Sequence, residues 1–489
     1  MEILAIMIKS VIVIGGGLAG IAAGTALSEV GLQAEIIEKR PMLGGRASSF
    51  YDPHSGEATD ECQHGTMRCC TNLSDLHKRL GVSDRIEYHE AIHFIDRSGV
   101  RSVVKGCGLP APLHVSLSFL LFKSLAIKDK IAIAHGMLGM IRAKKDSIYD
   151  QKTIATWFRE MKQTDKAVMR FWRPILISAC NEELERISCA NAFKIFRDGF
   201  LAHPKAFHFG VPKAPLGVLH TLPAIRYLKD RGGNVRLKTI VEKIHFDEGR
   251  VSGVSLQNGE RLQADAYVSG LQFDLLLKLL PAEVKEGVAY WENLSRLELS
   301  PIAGVQLWFD REIECPPALA LLDRKTEWIF NKTKNFAVGS GRGEYSEKSD
   351  SQGPANMSSG THLSMVLSAS RTYAKMPKEE LLALVLQDVE ETLPDARRAR
   401  VLRSQIVRWP KATLSPMPGS DAFRPDQRSP VPNLFVAGEW TQTGWPSTME
   451  GAVRSGYLAA ERLLEEYGAP QNILVPDLPE SWLFRLMKG

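Results

Sequence analysis

Gly15, Gly17 and Gly20 follow the apolar run Val11-Ile-Val-Ile14, and an acid, Glu38, closes the next apolar run, Ala34-Glu-Ile-Ile37. These residue types at this spacing can hold two linked phosphates and a ribose. Gly15 permits a tight turn, Gly17 lets the backbone approach a pyrophosphate, and Gly20 lets the helix that follows pack closely on the strand. The start of that helix, Leu18-Ala19, offers free N–H groups and a positive dipole end. Glu38 stands about 20 residues past the glycines, where a carboxylate accepts hydrogen bonds from a ribose diol. Strand, helix and acid agree, so the segment is read as a dinucleotide site rather than a turn that merely packs well.

The next segment, Lys39-Arg40-Pro-Met-Leu-Gly44-Gly45-Arg46, places a glycine pair before an arginine. The pair allows backbone near an anion and the arginine supplies a fixed cation; a surface turn with a solvated arginine is the alternative. Near the far end, Asn433-Leu-Phe-Val-Ala-Gly438-Glu439 reads as a buried strand. A loop and a helix starting near Thr448 follow, with Met449-Glu450-Gly451-Ala452 in its first turn. Together the three segments resemble the FAD-binding signature of the flavin amine oxidase and carotenoid desaturase superfamily. The resemblance implies non-covalent FAD, with Glu38 and Lys39 at the adenosine ribose and Gly44, Gly45 and Arg46 along the diphosphate. It places Gly438 and Glu439 at the ribitol or diphosphate, and Met449 to Ala452 facing the isoalloxazine. It also implies the fold: an α/β protein with a discontinuous Rossmann-like FAD domain of the glutathione-reductase/amine-oxidase type, into which an α+β substrate domain is inserted.

Three segments narrow the resemblance. They are Asp60-Glu-Cys62-Gln63-His64, Leu109-Pro-Ala-Pro-Leu-His114 and Gly444-Trp-Pro-Ser-Thr-Met-Glu-Gly-Ala-Val-Arg-Ser-Gly456. They are similar to the squalene-associated FAD-dependent desaturases, or hydroxysqualene dehydroxylases, with Cys62 where that family has glycine. The implied reaction is reductive dehydroxylation of hydroxysqualene to squalene, feeding hopanoid or sterol synthesis. The Met-Glu-Gly-Ala-Val run is also similar to phytoene and ζ-carotene desaturases, so carotenoid or squalene desaturation is the alternative; amine oxidation stands behind both. A departing hydroxyl needs a general acid. His64, Glu450 and Asp60 are the candidates, with His64 first because its free pKa lies near neutrality. Each has a structural alternative, a hydrogen-bonded histidine for His64 and a helix cap for Glu450. No second glycine fingerprint is present, so the external electron donor is left open among NAD(P)H, a quinone and a protein.

Size and composition bound the rest. The 489 residues suffice for two or three domains. The net charge of +5, from 61 basic and 56 acidic residues, is too balanced to argue for nucleic acid. Seven cysteines show no metal-ligand spacing and read as reduced thiols; no metal is expected. The apolar start, Met1 to Ile8, lacks the basic region and cleavage site of a signal peptide. The run from Leu109 to Ala126 is apolar for a loop region, so it is read either as core or as the membrane-facing mouth of a hydrocarbon channel. A long-chain isoprenoid partner, contact with other squalene-synthesis enzymes, and a cytoplasmic location on the inner face of the membrane are what the resemblance implies.

The flavin segments lie near both ends, so the FAD domain is expected from residues 1–75, 215–275 and 405–467. Residues 76–214, mainly helical, and 276–404 would form the substrate domain, and 468–489 a tail with a short amphipathic patch. Helices are expected over 128–142, 152–169, 222–233 and 378–393, and strands over 234–237, 261–270 and 303–309. A hairpin over 240–256 turning at Glu248-Gly249 and a mobile loop over 340–360 complete the reading.

Overall fold

The computed structural model describes residues 8–52, 56, 58–143, 147–336 and 360–489. The apolar start and the loop read over 340–360 lie, apart from Ile8 and Gly360, outside the described residues. Alternation makes Ser10–Ile14 a two-sided core strand. Val11 and Val13 join one buried cluster, and Ile12 and Ile14 another, as burial on both faces demands. The strand sits at the centre of a parallel five-stranded sheet ordered Asn234–Arg236, Gln33–Ile37, Ser10–Ile14, Ala266–Ser269, Leu434–Val436. Three stretches far apart in the chain therefore build one sheet.

On one face, helix Leu18–Glu29 packs against helix Met449–Glu466. Small residues set their approach: a Cβ on Gly456 would stand 2.2 Å from the Ala19 carbonyl oxygen. The other face lies under the hairpin Val241–Asp247 and Arg250–Leu256, whose Val251 and Val254 share a cluster with Ile12 and Ile14. The hairpin turns at Glu248-Gly249, as read from the sequence.

A second sheet holds seven strands in the order Val401–Leu414, Leu299–Phe309, His362–Leu367, Trp328–Asn331, Ala318–Leu321, Ala91–Ile95, Arg101–Lys105. Helix Lys378–Thr392 packs on one face through Leu381, Val385 and Val389. The other face turns toward a helical bundle containing Ile127–Arg142, Ile154–Glu160, Arg173–Cys180 and Cys189–Phe196. Among the described residues, no helix is long and apolar enough to cross a membrane.

Several readings shift. Strand Val401–Leu414 continues past residue 405, pairing with Leu299–Phe309 as far as Leu414, so this stretch belongs to the larger sheet and not with the nucleotide sheet. The first part of the inserted region supplies four strands as well as helices, Ile86–His89, Ala91–Ile95, Arg101–Lys105 and Phe209–Pro212; Arg101–Lys105 alternates open and buried positions. The helix read over 152–169 breaks: Thr164 accepts a hydrogen bond from Ala167 N and starts a new helix after Lys162 turns to φ +52°. The helix read from Leu222 begins at Leu216 and carries Pro223 inside it. The strand read over 261–270 divides into Arg261–Leu262 and Ala266–Ser269. The tail forms a helix, Trp482–Lys488, capped by Ser481 and seated by the buried Phe484.

Within the larger sheet Glu327 is buried, accepts a hydrogen bond from Ser368 N at 2.9 Å, and has its carboxyl pushed up to about 8 by burial. The unfolded chain loses this proton near the ordinary value of 4.5, the folded chain near 8. Between those values the folded state holds the extra proton, so stability falls as pH rises. Glu327→Gln, neutral throughout, removes this slope. Its thermal midpoint will drop less than the wild type's from mildly acidic to mildly alkaline pH, and parallel curves for the two proteins would remove Glu327 from the account.

Candidate active site

The turn after Ser10–Ile14 is held by Gly15 N donating to the Ile37 carbonyl at 2.8 Å, with Gly15 at φ +101°. A Cβ on Gly20 would stand 2.0 Å from Gly15 O, so only glycine admits the helix this close. At Gly17 an added Cβ would meet nothing within 4 Å: the backbone there borders open space. Glu38 is buried and bridges the turn, its Oε2 accepting from Gly16 N at 2.8 Å and its Oε1 from Arg40 N at 2.9 Å. Gly44 N donates to Gly16 O at 2.8 Å, which lays the second glycine turn beside the first. Arg46 then reaches the far end of the chain, bonding Glu439 Oε2 at 2.5 Å and the Ala412 carbonyl at 2.6 Å.

These segments border one continuous cavity of about 500 Å³. Gly15, Gly17, Leu18, Ala19, Glu38, Lys39, Gly44, Gly45, Arg46, Gly438, Glu439, Met449, Glu450 and Ala452 all line it, Lys39 at an exposed rim. Gly20 and Gly451 do not: Gly20 lies under Gly15, and Gly451 N is spent on the Thr448 cap at 3.2 Å. The closing helix starts at Met449, where the sequence places it. Sequence reading missed Leu271, Trp409 and Thr413, which enter the wall from a loop and from strand Val401–Leu414, segments that carry no motif.

Away from the glycines the cavity becomes apolar, bounded by Ile92, Phe94, Ile175 and Val366 and by the aromatic slab Phe209, Trp328 and Phe330. Phe209 and Trp328 stack at 5.4 Å with planes 10° apart. Several polar side chains in this part bond to the protein itself, while Thr66 Oγ1 is buried without a partner among the described residues. Trp328 Nε1 donates to Ser178 Oγ at 2.7 Å, and Ser178 Oγ donates to the Pro174 carbonyl at 2.7 Å. Asn181 Nδ2 donates to Thr413 Oγ1 at 2.9 Å, while its Oδ1 accepts from Ala369 N at 2.8 Å.

His64 lies between the two parts. Its Nδ1 is 3.0 Å from the Cys62 carbonyl, which can only accept, so Nδ1 carries the hydrogen and neutral Nε2 presents a lone pair. Burial lowers its pKa. An acid role would require the imidazolium that burial disfavours; in the neutral form with hydrogen on Nδ1, Nε2 can only accept. Asp60 does not border the cavity. Its carboxylate accepts from Lys332 Nζ, Ser49 Oγ and Leu216 N, each at 2.7 Å. Glu450 caps a neighbouring helix, Thr71–Arg79, accepting from Asn72 N at 3.1 Å and Leu73 N at 2.8 Å. Its lone pairs are committed to that helix, which removes it as a candidate acid. Cys62 replaces a glycine without strain, because its φ is not positive and Gly304 leaves room for its sulfur.

The family model described as flavin containing amine oxidoreductase covers residues 18–464. The chain belongs to this family. Among relatives of flavin containing amine oxidoreductases, it is 27% identical over 478 residues to a ζ-carotene desaturase of Zea mays, covering 91% of this chain and 82% of that protein. It is 27% identical over 487 residues to a probable ζ-carotene desaturase of Synechococcus elongatus, covering 93% and 98%. The crystal structure of an oxidoreductase from Methanosarcina mazei has the same fold, with a TM-score of 0.67 at 16% identity over 92% of this chain and 99% of that one. This protein is a flavin-dependent oxidoreductase, and FAD is the cofactor its family implies.

The residues fit that group. Among the described residues, Glu439 Oε1 is a buried acceptor without a partner and Trp409 Nε1 a buried donor without one, both at the cavity wall. Polyol hydroxyls and ring heteroatoms would satisfy them. Gly17, Gly44 and Gly45 would hold the diphosphate, and Glu38 the ribose.

Proposed function

We propose that the chain exchanges hydride between FAD and a long polyisoprenoid hydrocarbon, with desaturation of a carotene-type chain as the leading reaction. The observation that carries this reading is the continuity of the dinucleotide groove with a mainly apolar cavity, where the polar groups of Trp328, Ser178 and Asn181 are bonded to the protein. A wall of this kind accepts a hydrocarbon and leaves a polar substrate's groups unpaired. Bound FAD supplies two-electron hydride chemistry. The protein's part is to hold the chain in register, exclude water, and accept the proton that leaves the carbon next to the one losing hydride. His64 is the acceptor this reading assigns to that proton, supported by its position at the cavity wall and by its Nδ1 being held at the Cys62 carbonyl. The carotene-desaturase relatives support the same direction.

Reductive dehydroxylation of hydroxysqualene is the second reading. One observation favours it: Cys62, Gln63 and His64, within the segment similar to hydroxysqualene dehydroxylases, all border the cavity. The departing hydroxyl needs a proton, which neutral His64 does not hold.

Product analysis by mass spectrometry separates the two. Flavin-loaded protein is given phytoene or ζ-carotene with a quinone acceptor, and separately hydroxysqualene with chemically reduced flavin under anaerobic conditions. Products with added double bonds support desaturation. Squalene from the second mixture overturns that direction in favour of dehydroxylation, and no conversion in either removes the polyisoprenoid reading.

A further inference from the structure

Two chain segments distant in sequence, joined where the C-terminal helix packs on helix Ile127–Arg142, expose large apolar side chains. Helix Ser116–Leu120 and the loop after it expose Leu117, Leu120 and Leu121, at 57%, 64% and 68% of their surface. The following helix, Ile127–Arg142, opens with Ile127 at 77% exposure, although its opposite side is buried through Ile133 and Met140. The C-terminal helix Trp482–Lys488 packs on that helix and exposes Trp482 and Leu486, at 62% and 71%. It is anchored there: Phe484 is buried in the same cluster as Ile133, Ser481 N donates to the Ala202 carbonyl at 2.8 Å, and Ser481 Oγ bonds the Ala111 carbonyl. A helix fixed so firmly, yet showing a tryptophan and a leucine to solvent, is not explained by its own packing. Clustered exposed apolar side chains of this size mark an interaction surface.

Charge selects the partner. From Arg101 to Arg142 the chain carries six lysines and arginines and one acid, Asp129. Asp129 is fully buried and spent on Ala126 N and Thr164 Oγ1. Lys123 and Lys128 are exposed beside the leucines, and Arg485 lies between Trp482 and Leu486 in the tail helix. A second copy meeting this face symmetrically would set these cations against their own counterparts. A negatively charged sheet of phosphates pairs with them while its acyl layer takes the apolar side chains.

We propose that this surface docks the protein on an anionic lipid bilayer. Leu117, Leu120, Leu121, Ile127, Trp482 and Leu486 enter the boundary between headgroups and acyl chains, and Lys123, Lys128 and Arg485 meet the phosphates. The tail helix is thus half of the docking site. This inference stands on the surface alone and holds whichever hydrocarbon is the substrate.

The test is co-sedimentation of flavin-loaded, full-length protein with vesicles of phosphatidylcholine alone or mixed with phosphatidylglycerol, at low and high salt. Binding is expected mainly to the mixed vesicles and is reduced by salt. Leu120→Ser with Leu121→Ser, and separately Trp482→Ala with Leu486→Ser, will each lower the bound fraction about tenfold. Flavin content and thermal midpoint stay unchanged, because these side chains are exposed. Wild-type protein that remains in the supernatant with both vesicles overturns the proposal, as does binding that neither pair alters. A concentration-dependent dimer abolished by the same pairs, without vesicle binding, overturns it in favour of self-association. Failure of the hydrocarbon reading is distinct, since it would leave vesicle binding intact and product formation absent.

Discussion

Lys332→Met will cost the fold about 3–5 kcal/mol, the scale of stripping one partner from a buried ion pair, and will lower activity in whatever folded protein remains. Lys332 and Asp60 are each 1% exposed at the side chain, with Nζ 2.7 Å from the carboxylate. Burial pushes the Lys332 ammonium below the usual lysine range, and Asp60 pulls it partway back. Methionine fills the volume but leaves the Asp60 charge without its counterion. The site feels the change because Lys332 Nζ also donates to Gln63 Oε1 at 2.6 Å, and Gln63 Nε2 donates to the His64 carbonyl at 3.0 Å. Thermal inactivation will therefore shift to markedly lower temperature. Adding Asp60→Asn, which removes the stranded charge and keeps an acceptor for Leu216 N, will recover most of the stability but not the His64 placement. A Lys332→Met protein as stable as wild type would mean that the pair is solvated in solution.

Glu38→Ala will yield protein that purifies largely without flavin. The carboxylate holds Gly16 N and Arg40 N, borders the cavity, and would be the acceptor for the ribose of bound FAD. Charge-assisted hydrogen bonds contribute about 1.5–3 kcal/mol each. Losing the ribose bonds and freeing the glycine turn together will weaken FAD binding on the order of a hundredfold or more. The flavin-to-protein ratio after desalting, then titration with added FAD, measures the effect. Full occupancy in the variant would remove Glu38 from the cofactor site. The fold should persist, since among the described residues the carboxylate's hydrogen bonds go to two backbone N–H groups, those of Gly16 and Arg40.

The nucleotide site was legible because its constraints are local. Gly15 must reach positive φ, Gly20 must lack a side chain 2.0 Å from a carbonyl, and Glu38 must follow one strand later. Each requirement leaves a mark on residue type at a set spacing. The closing helix was legible for the same reason, through Thr448 and the small residues at Gly451 and Gly456. The candidate acids were not. Whether a carboxylate is free depends on donors brought from elsewhere, and Asp60 finds its partner 272 residues away at Lys332, while Glu450 caps a helix 378 residues away. Nothing in the run Trp328-Ile-Phe-Asn-Lys332 marks the lysine as buried.

By itself, then, the amino-acid order determined the parallel nucleotide sheet's motif, the residues around the dinucleotide groove and the apolar character of the 109–126 stretch. Tertiary structure decided the rest: that strand Val401–Leu414 runs on in the larger sheet, that the His64 Nδ1 is held at the Cys62 carbonyl, and that the tail helix packs on helix Ile127–Arg142. The physical reason is range. Backbone conformation and close helix–strand contact act within a few residues and are written in the spacing. Burial, proton affinity and surface continuity depend on neighbours that only the folded chain brings together.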